Sequence, residues 1–599
     1  MNTRPLWQLV AFLALFTVPP ADALDNQLAR HLSPYLALHG QDPVAWQEWN
    51  AQTVERARKE GKLLFVSIGY FSCHWCHVMQ RESYKNAEIA KLLNMHFIPV
   101  KVDRELNGAL DAELQAFTQA TRGQAGWPLN VFITPQGYPL TAILYAPPQD
   151  FLQFITRLNT RWQQEGAALS AAAQSAAQEM PQPQVQDAKF APQIAVLYRQ
   201  RFVDEALAQA DIFRGGFGEV NKFPQSPQLA TLLEFQRQAP NPKLAEFLRL
   251  SLDRMASLGL HDAIGGGFFR YTVDPDWLTP HFEKMLYDNA QLASLYLQAA
   301  KVLKQPTYRD TALRTLGFML AEMRDAESGA FVTSLSAIDA QGREGGAYLW
   351  DKTELKKMLS GADFKLIAAL WRLDRAAELE FGYLPLHHIK PTPAQRVRLD
   401  SIYAKLKTER AKRTVPKDNK LLAGLNGLAL MALSEAAVDE PRLRPAAKQV
   451  RDFIVEKLIA PQGLLKGVAQ RKILGGDLPG DLEDYAYVSA GLMAYANLVQ
   501  SDTERERARQ LTTLAWEKFH STRGWQLEQQ PLLARPYYQR MVPDGASYSP
   551  AALLIKTSWA LGGKDLRSRT LGALNTGYAV LDQGTFWYAT QVSAMNALK

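Results

Sequence analysis

The sequence predicts a multidomain chain, an α/β domain in its first third followed by an all-α domain built from paired helices. Three observations carry this. At 599 residues the chain exceeds what one hydrophobic core normally organises. Short apolar runs alternate with helix-spaced segments up to residue 175. Beyond residue 190 the pattern changes to long helical segments separated by Gly-, Pro- and Asp-rich loops. With 47% hydrophobic and 21% charged residues the composition is that of a folded protein, and the net charge of +7 comes with no dense Lys/Arg block. A nucleic-acid partner is therefore not expected.

The chain opens with MNTR, then the apolar LWQLVAFLALFTV, then PPADA with Ala21 and Ala23. This three-part layout predicts a signal peptide over 1–23, cleaved after Ala23. The apolar run is short for a spanning helix, and no later run approaches the ~18 apolar residues that spanning needs. The expectation is a periplasmic or otherwise secreted protein with no stable membrane insertion after cleavage.

In the domain 24–175, AQTVERARKEGK reads as a helix ending at Gly61, and LLFVSIG (63–69) as a buried strand. HVMQRESYKNAEIAKLLN predicts a helix, HFIPVKVD (96–103) a strand and LNGALDAELQAFTQATRG a helix. LNVFITP (129–135) and YPLTAILYA (138–146) predict two more strands, followed by a long helix from Asp150. That order is the order of a thioredoxin-like domain. It places CHWC, the only two cysteines, at the first turn of the helix after a central strand. Free N–H groups and partial positive charge at a helix N-terminus stabilise a thiolate. Cys73 is thus the expected nucleophile and Cys76 the resolving thiol. A protonated His74 would further favour the thiolate, and Trp75 would cover the pair. A bridge across two residues restrains little chain, so stapling is a weak motive. Ligands as crowded as Cys73, His74, Cys76 and His77 do not surround a metal ion, so neither metal nor cofactor is expected. Trp127–Pro128, just before LNVFITP, is the candidate cis-proline bond.

Residues 176–190, rich in Pro, Gln and Ala, predict a linker. Over 191–599 the helices come in pairs, one member of each more uniformly apolar. LAGLNGLALMALSEAA and AYVSAGLMAYANL are rich in small residues, suiting close packing in an inner ring. An (α/α)6 toroid of six hairpins is the expectation. Within 27 residues lie Asp262, Arg270, Tyr271, Asp274 and Asp276, then Trp277, His281, Glu283, Tyr287 and Asp288. With Asp339, Glu344 and Asp484 from other loops they form a candidate cleft at the toroid mouth. Acidic and aromatic residues there suit sugars, and paired carboxylates suit glycosidic acid/base chemistry. The same residues equally serve as helix caps, with His281 packing on Trp277 or Phe282.

SPYLALH, VSIGYFSCHWCHVMQRES, VKVDRE and GQAGWPLNVFITPQG resemble the thioredoxin-like domain of the spermatogenesis-associated protein 20 family. GGFGEVNKFPQSP, HDAIGGGFFRYTVDPDWLTPHFEKMLYDNAQL, EGGAYLW and LEDYAYV resemble its C-terminal domain, which is similar in fold to six-hairpin glycosidases and sugar 2-epimerases. The chain reads as a divergent exported member, departing from the family pattern at VDRELNGALD, Leu425-Asn426-Gly427 and DGASYSPA. The intact CHWC pair leads to the expectation of a thiol–disulfide oxidoreductase or redox-active binding module whose toroid recognises its partner, either protein thiols and disulfides or a saccharide. The alternatives are a glycosidase- or epimerase-like protein with an accessory thioredoxin-like domain, and a non-catalytic scaffold.

Overall fold

The computed structural model describes residues 24–179, 189–476, 478–534 and 538–598. The expected signal peptide and residues 180–188 of the expected linker lie outside the described residues.

Strand β1 (Leu63–Gly69) lies inside a four-stranded sheet ordered β2-β1-β3-β4. β2 (Phe97–Asp103) runs parallel to β1, β3 (Leu129–Ile133) antiparallel to β1, and β4 (Pro139–Ile143) antiparallel to β3. β1 and β2 are continuous apolar runs because both faces of the sheet are covered. Successive side chains point to opposite faces, so Leu63 and Phe65 enter one core while Leu64, Val66 and Ile68 enter the other.

Helix α1 (Ala51–Glu60) ends at Gly61 in the left-handed conformation. The single helix expected after CHWC is two: α2 (His74–Met79), continuing through a wide turn over Gln80–Tyr84, and α3 (Ala87–His96). One tertiary contact and one local cap break it. The Tyr84 hydroxyl is buried and donates to Asn130 Oδ1 at 2.7 Å. Asn86 then restarts the helix by accepting the backbone N–H groups of Glu88 and Ile89. Helix α4 (Gly108–Arg122) leads to β3, and α5 (Pro148–Glu179) closes the domain, running four residues into the segment expected as linker.

The second domain alternates outer and inner helices. The outer set is α6 (Pro192–Gln209), α8 (Pro242–Ser257), α10 (Pro306–Phe318), α12 (Arg444–Phe453), α14 (Asp502–Phe519) and α16 (Lys564–Gly577). The inner set is α7 (Ser226–Gln238), α9 (Leu286–Val302), α11 (Ala423–Ala436), α13 (Leu482–Val499), α15 (Pro550–Leu561) and α17 (Ala589–Ala597). Each inner helix packs on the next, and α17 packs back on α7 to close the ring. This is the (α/α)6 toroid. Inner helices are buried nearly all round, so they carry no polar face. An insertion over residues 319–422 separates α10 from α11.

The ring is tightest between α11 and α13. A Cβ on Gly491 would stand 2.4 Å from the Gly427 carbonyl oxygen, and one on Gly427 would stand 2.5 Å from the Tyr487 carbonyl carbon. These contacts are backbone on backbone, so no rotamer change relieves them. Gly491→Ala is expected to destabilise the protein by about 1–3 kcal/mol through overpacking. An unchanged denaturant midpoint would contradict this packing.

The thioredoxin-like domain sits on the toroid and is locked there by buried charge. Lys420 Nζ lies 2.8 Å from Asp103 Oδ2, at the end of β2, and 2.5 Å from Asp418 Oδ2. Ser33 Oγ donates to the same Asp103 oxygen at 2.6 Å.

Candidate functional site

Cys73 is the N-cap of α2, and its sulfur accepts the Cys76 backbone N–H at 3.1 Å. The two cysteines are joined as a disulfide. Gly69, the last residue of β1, makes room for them, since a Cβ there would stand 2.8 Å from Cys76 Sγ. Trp127–Pro128 is cis, and the Trp127 indole donates to Asp111 Oδ1 at 2.8 Å.

The pair is almost wholly buried, Cys73 at 3% exposure and Cys76 at 1%. The expected cover differs from the observed one. Trp75 is 47% exposed and packs on Tyr145 with ring centroids 4.9 Å apart, so it projects from the surface beside the motif. A toroid segment covers the motif instead. The Ala337 N–H reaches the Ser72 carbonyl at 3.5 Å, and Glu344 Oε2 stands 3.7 Å from His74 Nε2.

Glu344 begins a chain of charged groups leading into the toroid. Its Oε1 lies 3.6 Å from His281 Nε2, and His281 Nδ1 lies 3.1 Å from Glu283 Oε1. Glu283 accepts from the Tyr70 hydroxyl at 2.9 Å and faces Arg270 Nη1 at 3.4 Å. Arg270 also donates to Tyr70. Tyr271 stacks on the His281 ring at 4.9 Å and on Phe223 at 4.6 Å, which fixes the imidazole.

Electrostatics assign the proton. Burial lowers the His74 pKa, and Glu344 offsets this only in part, so the expected charged His74 is disfavoured. Burial would also lower His281, but Glu283 outweighs it with help from Glu344, and the net shift is upward. Burial would raise Glu283, yet His281 and Arg270 hold it below the usual carboxylate range. The imidazolium at this interface is therefore favoured on His281, whose ring centroid lies 6.3 Å from that of His74, and not on His74 as the sequence reading placed it.

The other expected cleft residues separate into two groups. Asp262 is an internal ion, 2.7 Å from Lys284 and 2.8 Å from Arg410. Asp274 holds a turn by accepting the N–H groups of Asp276, Leu278 and Thr279. Asp276 pairs with Arg214 at the surface, and buried Trp277 donates to the Arg214 carbonyl. Asp339 closes a turn onto Arg343. These carboxylates and Trp277 organise loops.

Arg270, Tyr287 and Asp484 instead line a cleft of about 390 Å3 between the two domains. Asp288 stands near them, buried, with Oδ2 lacking a hydrogen-bond partner. Asp484 caps α13 reciprocally with Asp481 and accepts the Gly424 N–H at 2.8 Å. Burial pushes its pKa up to about 7, and burial with the Asp481 charge pushes neighbouring Glu483 up to about 8. Sequence reasoning missed Tyr70, Arg104, Lys466 and Glu483. Three of these stand inside quoted motifs, GYFSCHWC, VKVDRE and LEDYAYV, where the neighbours drew attention.

Among the described residues no group of three or more His, Cys, Asp or Glu side chains is placed to hold a metal ion. Nor is any described helix long and apolar enough to cross a membrane.

Fold and site together define a class, a thioredoxin-like domain with a buried C-x-x-C pair docked on an α/α toroid. A family model named for thioredoxin-like DsbH, and described as a protein of unknown function, DUF255, matches residues 25–181. Human spermatogenesis-associated protein 20 is 31% identical over 560 residues, covering 83% of this chain and 70% of its own. An uncharacterized protein of Caenorhabditis elegans is 29% identical over 586 residues, covering 89% and 79%. The chain belongs to the spermatogenesis-associated protein 20 family. Among solved structures, cellobiose 2-epimerase from Spirochaeta thermophila is similar to 68% of this chain and 96% of its own, at a TM-score of 0.45 and 14% identity.

Proposed function

We propose that the protein is an exported thiol–disulfide oxidoreductase, with Cys73 as nucleophile and Cys76 as resolving thiol. The observation that carries this reading is the position of Cys73, the N-cap of a helix that follows the central strand, its sulfur accepting a backbone N–H. Hydrogen bonding to the anion and the helix-end field both favour a thiolate there in the reduced form. The Cys73 thiolate attacks one sulfur of a substrate disulfide, and the other sulfur leaves as a thiolate that takes up a proton. Cys76, losing its proton, then attacks the Cys73 sulfur. That releases the second substrate thiol and leaves the Cys73–Cys76 disulfide. The same steps in reverse oxidise a dithiol.

The toroid limits access, since its 337–344 segment lies over the motif. The layout of residues 1–23 supports export to a compartment where disulfides persist. Equilibrating the protein across thiol/disulfide buffers, then alkylating and weighing it, tests the reading. A reversible transition of the two thiols is expected. A pair inert to oxidant and reductant would overturn it.

One observation favours a second reading, carbohydrate processing by the toroid. Glu483 and Asp484 are adjacent acids in the interdomain cleft, and both are held partly protonated near neutral pH. Hydrolysis or epimerisation of an oligosaccharide that survives Cys73→Ser and is lost in Glu483→Gln would favour it over thiol exchange.

A further inference from the structure

Tyr35 stands beside the disulfide, on the core side. It comes from the short helical turn Pro34–Leu38, which Ser33 caps by accepting the Leu36 N–H. Its ring meets the His39 imidazole edge-on with centroids 5.1 Å apart, and Lys101 Nζ lies 5.3 Å from its centre. These contacts hold the ring, and its hydroxyl reaches the end of β1. A Cβ on Gly69 would stand 2.2 Å from the Tyr35 hydroxyl oxygen and 2.8 Å from Cys76 Sγ. Glycine at this position lets the oxygen and the sulfur share one small space.

In the disulfide form that hydroxyl has no hydrogen-bond partner, although Tyr35 is only 1% exposed. An unpaired buried O–H is costly and uncommon in native interiors. The other redox state supplies a partner. Opening the S–S bond frees Cys76 Sγ to turn about its own side-chain bond, and an ionised sulfur accepts hydrogen bonds far more strongly than a disulfide sulfur does.

Cys73 already has a donor, the Cys76 backbone N–H at 3.1 Å. Cys76 is shut away from water, so a thiolate on it depends on a donor from the protein. Burial holds the Tyr35 pKa well above the ordinary tyrosine value, so the phenol keeps its proton and remains a donor.

We propose that in the reduced protein the Tyr35 hydroxyl donates a hydrogen bond to the Cys76 sulfur and positions it for exchange. This rests on the redox reading and adds a residue to it. When the pair reduces a substrate, Cys76 releases its proton to water and its thiolate attacks the Cys73 sulfur. The bond from Cys73 to the substrate breaks, and the substrate sulfur leaves with the electron pair. When the pair oxidises a dithiol, a substrate thiolate attacks Cys73, the Cys73–Cys76 bond breaks, and the electron pair goes to Cys76. Both directions pass through a Cys76 thiolate, and the Tyr35 O–H meets it each time without giving up its proton.

Tyr35→Phe in the full chain, which removes only the hydroxyl, tests the role. Equilibration with glutathione buffers, then alkylation and weighing, should show the variant shifted about 10-fold towards the disulfide, a potential ~30 mV more negative. Denaturant midpoints supply a second measurement. The disulfide form of the variant should match or exceed the parent, because the hydroxyl has no partner there, while the reduced form should fall below it. A merely structural tyrosine would lower both forms alike and leave the potential where it was. A parent pair inert to oxidant and reductant overturns the redox reading and this inference together. A parent that cycles, with a variant that keeps its equilibrium or moves towards the dithiol, overturns this inference alone. So does a variant that fails to fold or loses as much stability in the disulfide form as in the reduced one.

Discussion

Cys73→Ser is expected to abolish thiol–disulfide exchange, a fall of at least about 1,000-fold, because the attacking sulfur is gone and a serine hydroxyl does not ionise at neutral pH. Cys76→Ala should behave differently. The first attack, by Cys73 on a substrate disulfide, still proceeds, but no second thiol remains to release the product. The mixed disulfide should therefore accumulate on Cys73, visible as a mass increase under non-reducing conditions and reversed by reductant. Both cysteines are buried in one core with little effect of either on charge balance, so both variants should fold. Equal exchange rates in the parent and Cys73→Ser would remove the redox assignment. A Cys76→Ala protein that traps nothing, while the parent exchanges normally, would reverse the roles of the two sulfurs.

Lys420→Met should be the most destabilising single change away from the cysteines. Lys420 is the cation between Asp103 of the thioredoxin-like domain and Asp418 of the toroid, and all three side chains are buried. Methionine fills similar space but leaves two carboxylates facing each other without a counterion. Removing one partner from a buried ionic cluster costs about 3–5 kcal/mol. The sign of the pH dependence follows from the carboxylates. Burial already raises Asp418 to about 6, even with Lys420 opposing it. Without the lysine, the folded-state pKa of Asp418 moves further above its unfolded value. Ionisation then penalises the folded state as pH rises, and protonation relieves it. The deficit against the parent should be largest near neutral pH and shrink towards about pH 5. Denaturant midpoints measured at both pH values check this, and a deficit that is small or independent of pH would show that the cluster does not hold the domains together.

Much of the architecture was legible because it depends on neighbours in the chain. LLFVSIG became β1 over Leu63–Gly69, a continuous apolar run being what a strand buried on both faces requires. LAGLNGLALMALSEAA and AYVSAGLMAYANL became the inner helices α11 and α13, and their glycines meet where the two backbones come closest. CHWC fell at the first turn of α2, as the strand-then-helix order required.

Most of the errors come from contacts between residues distant in the chain. Tyr84 and Asn86 split an apparently continuous helix because a hydrogen bond to Asn130 and a helix cap outweigh periodicity. Trp75 was expected over the sulfurs, but the toroid takes that place and leaves the indole on the surface. Among the carboxylates of the 262–288 stretch, Asp262 and Asp274 hold loops while Glu283 faces the thioredoxin-like domain. Nothing in their spacing distinguishes them.

The sequence by itself therefore determined the two domains, the place of the C-x-x-C pair and the helix that presents it, since periodicity and turn chemistry act over a few residues. Tertiary structure alone decided what covers the sulfurs, that His281 rather than His74 favours the proton, and that Arg104 and Glu483 line one cleft. Burial, charge and hydrogen bonding act through distances in space, and the residues that meet at this interface lie hundreds of positions apart in the chain.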